Sequence, residues 1–191
     1  MTGVKFALAF LTIAITCSLD KLSKDWALKN LQMHNTEPFM PGFLQFTLTT
    51  NTGAAFSFGQ SNAMMMAVLA TLLTVCVGVW LISRIVRSSH LPIAELIGIS
   101  CILGGSAGNL IDRFTLGHVI DFLEFSFFTF PVFNVADTFI NVGLGLILLS
   151  RLGVKEKEDE EEKAEKDASS EVKTDTESQP QTISDKTSST P

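Results

Sequence analysis

Residues 61–83 read Ser-Asn-Ala-Met-Met-Met-Ala-Val-Leu-Ala-Thr-Leu-Leu-Thr-Val-Cys-Val-Gly-Val-Trp-Leu-Ile-Ser, an uninterrupted uncharged stretch. At about 1.5 Å per helical residue it is long enough to cross a hydrocarbon core of roughly 30 Å unaided. That makes the chain a membrane protein, and three further apolar segments are measured against it. Phe6 to Leu19 and Thr138 to Ser150 are shorter, whereas Leu91 to Ile111 is interrupted only by Glu95. A short segment spans only if it draws in its polar neighbours, which brings Asp20 and Asp137 towards the lipid. The expected spans are therefore about 4–20, 61–83, 92–112 and 134–151, an all-α polytopic membrane protein of four transmembrane helices.

Bulk properties agree. The 191 residues are 46 % hydrophobic with a mean hydropathy of +0.32, too apolar for an ordinary soluble domain. The formal charge of −6 misleads, because positive and negative residues balance over 1–152 and the excess acid lies in the tail. Residues 153–191 are Glu, Lys, Asp, Ser and Thr with few apolar side chains, and are expected to be a disordered acidic cytoplasmic tail. The membrane unit is then 1–152. Cys17, Cys76 and Cys101 lie inside apolar runs without CxxC spacing, which suggests neither disulfides nor zinc. The first segment resembles a signal peptide, but Thr16 before Cys17 and the three later spans argue for retention.

Lys5, the loop holding Arg84, Arg87 and His90, and Arg151 with Lys155 and Lys157 cluster on one side of the expected spans. The positive-inside rule then makes both termini cytoplasmic. Between the first two spans, residues 21–60 form an extracytoplasmic stretch. Lys21 to Leu31 can continue as helix, Pro38, Pro41 and Gly42 break regularity, and Phe43 to Thr49 alternates like a short strand. Asn51 and Gly53 suit a tight turn, and Gly117 to Phe122 is read as a loop.

Counting depth from the cytoplasmic side places Asp20, Asp112 and Asp137 about 21 to 26 Å up, at the outer-leaflet boundary. Ionisable groups near hydrocarbon are costly and mark sites that pair or do chemistry. Gly105, Asn109, Asp112 and Arg113 share one helix face, as do Asn134, Asp137, Asn141 and Gly145. For Gly104, Gly105, Gly108 and Asn141 the simplest role is interhelical packing and hydrogen bonding. A carboxylate is an expensive form of such glue.

Three chemistries fit the remaining residues. Gly104-Gly-Ser-Ala-Gly108 matches the GxSxG pattern, with Ser106 and His118 as a serine-protease alternative, but it falls inside an apolar helix rather than at a strand-to-helix turn. His118, Asp121 and Glu124 have a spacing that suits a metal, although no HExxH pattern accompanies them. Asp121 and Asp137 are the third option. If the 117–122 loop folds back, the two carboxylates meet at a low-dielectric site and share a proton, as aspartyl proteolysis requires. That chemistry needs neither metal nor organic cofactor. A small proton-coupled transporter or channel component is the competing reading, disfavoured because the acids other than Glu95 sit at one boundary.

Five stretches taken in order resemble the lipoprotein signal peptidase (signal peptidase II) family of bacterial membrane aspartyl proteases. They are Asp20-Lys-Leu-Ser-Lys24, Asn51-Thr-Gly-Ala-Ala-Phe-Ser57, Gly104 to Arg113, Gly117-His-Val-Ile-Asp-Phe122 and Phe133-Asn-Val-Ala-Asp137, and the resemblance covers about 5–152. It implies Asp121 and Asp137 as catalytic pair, with Asp20, Lys24, Asn51, Gly53, Asn109, Arg113, Asn134 and Ala136 shaping the substrate site and Asp112 pairing with a basic neighbour. It also implies a diacylglyceryl-modified prolipoprotein substrate, cut just before the lipid-modified cysteine, in the bacterial cytoplasmic membrane. A monomer among membrane lipids with no nucleic-acid partner is expected. The acidic tail lies outside the family pattern.

Overall fold

The computed structural model describes residues 2–53, 63–88 and 91–152. Four long apolar helices dominate it: α1 (Thr2–Asn30), α2 (Ala63–Arg87), α3 (Ile93–Leu116) and α4 (Val135–Leu152). Three strands, β1 (Thr36–Met40), β2 (Leu44–Asn51) and β3 (Val119–Phe125), form an antiparallel sheet in that spatial order. The four expected spans are present, and α1 continues beyond Leu19 to Asn30, as the helical reading of Lys21 to Leu31 anticipated. The tail 153–191, His90 and residues 54–57 of the Asn51 stretch lie outside the described residues.

Helix α3 is the centre of the bundle. Of its apolar stretch 56 % is buried, against 11–17 % for the other three spans, whose Phe10, Leu72, Val79 and Leu148 face outward. Apolar faces gain nothing by leaving lipid for one another, so close packing and polar contacts must hold such helices together. Glycines supply the packing. A Cβ at Gly98 would lie 2.7 Å from the Gly143 carbonyl oxygen, and one at Gly143 would lie 2.5 Å from that of Gly98. A Cβ at Gly104 would meet Thr16 of α1, and one at Gly105 would meet the Ala136 carbonyl. Asn141, read as interhelical glue, instead donates to the Asp137 carbonyl of its own helix at 2.9 Å and is exposed. Gly145 also faces open space.

At the other end of the spans, Arg84 and Glu95 form two hydrogen bonds of 2.7 and 2.9 Å. Arg84 and Arg87 belong to the last turn of α2 rather than to a loop. Lys5 reaches the Ser88 carbonyl at 3.2 Å, so the basic residues of α1 and α2 gather at one end of the bundle.

The sheet refines one sequence reading and corrects another. Pro38 sits within β1, paired with Gln45, and regularity breaks just after it, where the register shifts before Met40; β1 is an edge strand, where a missing N–H is tolerated. Residues 119–125 are a strand, not a loop. Ile120 and Phe122 pack with Ala27 and Leu48, while Val119 and Asp121 face the opposite way. With both faces covered, Val119 to Phe122 are all buried and the polar-apolar alternation that signals a strand is lost. Gly117 makes the entry into β3 possible, since its φ of 78° in the left-handed region caps α3 with a bond to the Arg113 carbonyl.

The two α4 glycines test this packing. Gly143→Ala should lower the thermal unfolding midpoint in detergent, at a cost of about 1–3 kcal/mol for forcing a methyl against a backbone oxygen. Gly145→Ala should be neutral or mildly stabilising. Equal midpoints for the two variants would contradict the α3–α4 contact.

Candidate active site

One buried ammonium organises the polar layer. Lys24, 1 % exposed, places Nζ 2.8 Å from Asp20 Oδ2, 2.8 Å from Asp112 Oδ2 and 2.8 Å from Asn109 Oδ1. Three acceptors match its three N–H donors, so its hydrogen-bonding capacity is filled. Asp112 therefore pairs with Lys24 of α1, not with the adjacent Arg113. Its Oδ2 also accepts the Ile120 N–H of β3 at 3.3 Å. Asp20 reaches α4, where Oδ1 accepts the Ala136 N–H at 3.0 Å. Two carboxylates against one ammonium leave a negative excess, and the positive end of the α4 dipole lies against it.

This arrangement fixes two amides. Lysine can only donate, so Asn109 must turn Oδ1 to Lys24 and Nδ2 to Asp137, whose Oδ1 it meets at 2.9 Å. Asn134 is held in the same way. Its Oδ1 accepts the Asp137 N–H at 3.0 Å, while Asp137 Oδ2 accepts the Asn134 N–H at 3.2 Å, a reciprocal capping box at the start of α4. Asn134 Nδ2 is thereby turned to Asn109 Oδ1 (3.0 Å) and Asp121 Oδ1 (2.6 Å). Asn51, at the end of β2, donates to Asp121 Oδ2 at 3.0 Å. Asp121 and Asp137 are thus held on one continuous network of oriented amides. A bulge in β2 between Phe46 and Thr49, opposite Leu123 and Asp121, interrupts the ladder beside this carboxylate.

Both carboxylates border a cavity of about 520 Å³. Its polar wall includes Asn51, Gly53, Asn109 and Arg113; its apolar wall includes Phe125, Phe130, Phe133, Ile140 and Val142. Of the residues expected to shape the substrate site, Asp20, Lys24, Asn134 and Ala136 lie behind this surface, buried beneath the amides. Arg113 donates to the Gly53 carbonyl at 3.2 Å and to the Asn109 carbonyl at 3.3 Å, and its Nε has no acceptor among the described residues.

The aromatic wall and the α4 residues Thr138, Ile140 and Val142 were not anticipated as site residues. The run Phe125 to Phe133, with five phenylalanines, was the available signal.

The other two chemistries find less support in the geometry. Ser106 sits within α3, away from any strand-to-helix turn. Asp121 and Glu124 point to opposite faces of β3, and Glu124 is engaged by Gln45 at 2.9 Å and Thr47 at 2.5 Å.

Burial, and next the charge of Asp137, push the Asp121 carboxyl up to about 6 from its ordinary 3.8, against the N–H donors of Asn51 and Asn134.

Comparison with known proteins adds an independent line. The family model described as signal peptidase (SPase) II matches residues 12–152. A lipoprotein signal peptidase of Nostoc punctiforme is 38 % identical over 147 residues, covering 77 % of this chain and 90 % of that protein. One from Enterococcus faecalis is 38 % identical over 140 residues, covering 73 % and 84 %. Two bacterial membrane enzymes solved by the in meso method share the fold, with TM-scores of 0.67 and 0.64 at 24 % and 22 % identity. The first comparison covers 76 % of this chain and 87 % of its partner, the second 75 % and 92 %.

Two measurements test the site's physics. Lys24→Met strands two buried carboxylates and should cost about 3–5 kcal/mol of stability. Adding Asp20→Asn and Asp112→Asn to that variant should recover most of the loss, and no recovery would contradict the charge argument. The second is pH dependence. Since Asp121 keeps its proton to about pH 6 when folded but ionises near 3.8 when free, the folded state binds the extra proton between those values. Its contribution is complete below that window and is lost as pH rises through about 6. The thermal midpoint of the wild type should therefore fall more steeply across this interval than that of Asp121→Asn; parallel slopes would refute it.

Proposed function

The chain belongs to the signal peptidase II family, and from that membership we propose a membrane-embedded aspartyl endopeptidase acting on prolipoproteins. It removes the signal peptide from diacylglyceryl-modified precursors by cutting just before the lipid-modified cysteine. The observation that carries this reading is the pair Asp121 and Asp137 on one cavity, each held by amide N–H donors that cannot turn away.

In the proposed reaction the ionised Asp137 takes a proton from water as the water oxygen attacks the scissile carbonyl carbon. Asp121, protonated, donates to the carbonyl oxygen. Collapse of the tetrahedral intermediate returns that proton to Asp121, while the proton on Asp137 passes to the leaving amide nitrogen. The dyad then carries one proton, as before. Asp121 suits the acid role because burial and the charge of Asp137 raise its carboxyl to about 6, so it keeps its proton to higher pH than an ordinary carboxyl. Neither metal nor organic cofactor enters these steps.

The remaining site residues divide by position. Asn51, Gly53, Asn109 and Arg113 border the cavity and are assigned to the substrate backbone. Asp20, Lys24, Asn134 and Ala136 act from beneath, by holding those groups in orientation. The apolar wall fits a substrate that carries acyl chains. With Lys5, Arg84 and Arg87 at the opposite end of the bundle, the positive-inside rule puts both termini in the cytoplasm and the cavity at the outer-leaflet boundary of the bacterial membrane.

Asp121→Asn and Asp137→Asn should each lower cleavage of a diacylglyceryl-modified precursor by about 10²–10⁴-fold or more, read by gel shift. Both proteins should remain folded and membrane-inserted. Turnover near the wild-type rate in either variant would remove the dyad from the mechanism.

A further inference from the structure

Phe125, Phe127, Phe128, Phe130 and Phe133 lie in one short segment between β3 and α4. Phe125 packs against the other four at centroid distances of 5.0 to 5.7 Å, and Phe43 from the β1–β2 turn stacks on Phe127 at 5.4 Å. A cluster of this size normally closes over itself as a core. Here Phe43, Phe127, Phe128 and Phe130 remain 49, 58, 46 and 41 % exposed. Contiguous exposed apolar surface of this kind marks an interaction site.

We propose that this aromatic hairpin is an interfacial anchor, its tip at Phe127 and Phe128 inserted among the acyl chains of the leaflet next to the α4 N-terminus. The position of the hairpin argues for lipid as the occupant. Leu123 and Phe133 exchange two hydrogen bonds of 2.8 Å, so the segment between them is a loop whose base adjoins Asn134, the cap of spanning helix α4. Phe125, Phe130 and Phe133 share a cavity wall with Ile140 and Val142, and Val142 is 50 % exposed on a span. The aromatic surface is therefore continuous with an exposed apolar flank of the spanning helix α4.

Composition points the same way. Residues 125–133 carry no charge, and Ser126 and Thr129 are their only polar side chains. The chain also has no tyrosine and only two tryptophans, Trp26 and Trp80, against fifteen phenylalanines, so most of its aromatic surface at a membrane boundary has to be phenylalanine. An anchor here has a mechanical consequence. It fixes the level of the cavity mouth relative to the lipid, because Phe130 and Phe133 belong to both. This inference rests on the helices being membrane spans and is independent of the peptidase reading.

The test uses full-length protein with Trp26→Phe and Trp80→Phe, into which Phe127→Trp or Phe128→Trp is introduced separately. Each is reconstituted in phosphatidylcholine vesicles with acyl chains brominated near the headgroup or near the methyl end. A chain retaining only Trp80 serves as a control within a span, and circular dichroism monitors folding. The new tryptophans should emit at blue-shifted wavelengths, lose most of their emission to shallow bromines and resist aqueous iodide. Quenching by iodide without quenching by brominated lipid in the folded variants would overturn the proposal. Blue-shifted emission that appears only at high protein-to-lipid ratio would also overturn it, and would identify a second copy as the occupant.

Discussion

The enclosure of the Lys24 ammonium by Asp20, Asp112 and Asn109 is the constraint on which the rest depends. It ties α1 to α3 directly and α4 to both through the Asp20 bond to the Ala136 N–H. In a bilayer the helices gain no hydrophobic energy by meeting, so glycine contacts bring them close and polar contacts decide their register. A buried ion cluster is a poor source of net stability, because desolvation offsets much of its Coulombic attraction. Its value lies in what it excludes. Any sliding or rotation of α1 against α3 that separated Lys24 from either carboxylate would leave unpaired charge in a low-dielectric interior.

From that fixed point orientation propagates outward. An asparagine amide is nearly symmetric in shape but not in hydrogen bonding, and the strictly donating ammonium breaks the symmetry at Asn109. The α4 N–H at Asp137 breaks it at Asn134. Each amide then presents N–H groups to a carboxylate at the cavity surface. Such donors do not have to reorganise when charge moves during a reaction, which is the condition for electrostatic preorganisation. The site thus inherits its rigidity from a buried layer of which Asn109 borders the cavity while Lys24, Asp20 and Asp112 lie behind it.

Much of this was legible in the sequence, for a physical reason. Charges and amides are so costly near hydrocarbon that their appearance at matching depth in three segments already indicated convergence, and Asp20, Asp112 and Asp137 do lie together. Strand β3 escaped because both of its faces are covered, which removes alternation, and because a carboxylate stands at its centre. Pro38 escaped because its tolerance depends on β1 being an edge, a fact of sheet order and not of local sequence. The partner of Asp112 could not be chosen either. Arg113 is its neighbour in sequence, but Lys24 reaches it from another helix. The helix spans and polar layer follow from transfer energies along one segment, whereas these three features depend on what a distant segment brings.

The two aspartates differ in how firmly they are supported. Asp137 is built into the α4 capping box, so moving it means unwinding a helix end. Asp121 depends on Asn134 and on Asn51, which closes β2 and whose own Oδ1 accepts the Gly53 N–H at 3.0 Å. Gly53 in turn supplies the carbonyl for Arg113. A shift of this strand end therefore releases one donor from Asp121 and one acceptor from Arg113 together. Loss of an N–H donor raises the cost of ionising Asp121, and a freed guanidinium at the same wall lowers it. The balance of charge in the cavity is consequently coupled to the seating of residues 51–53.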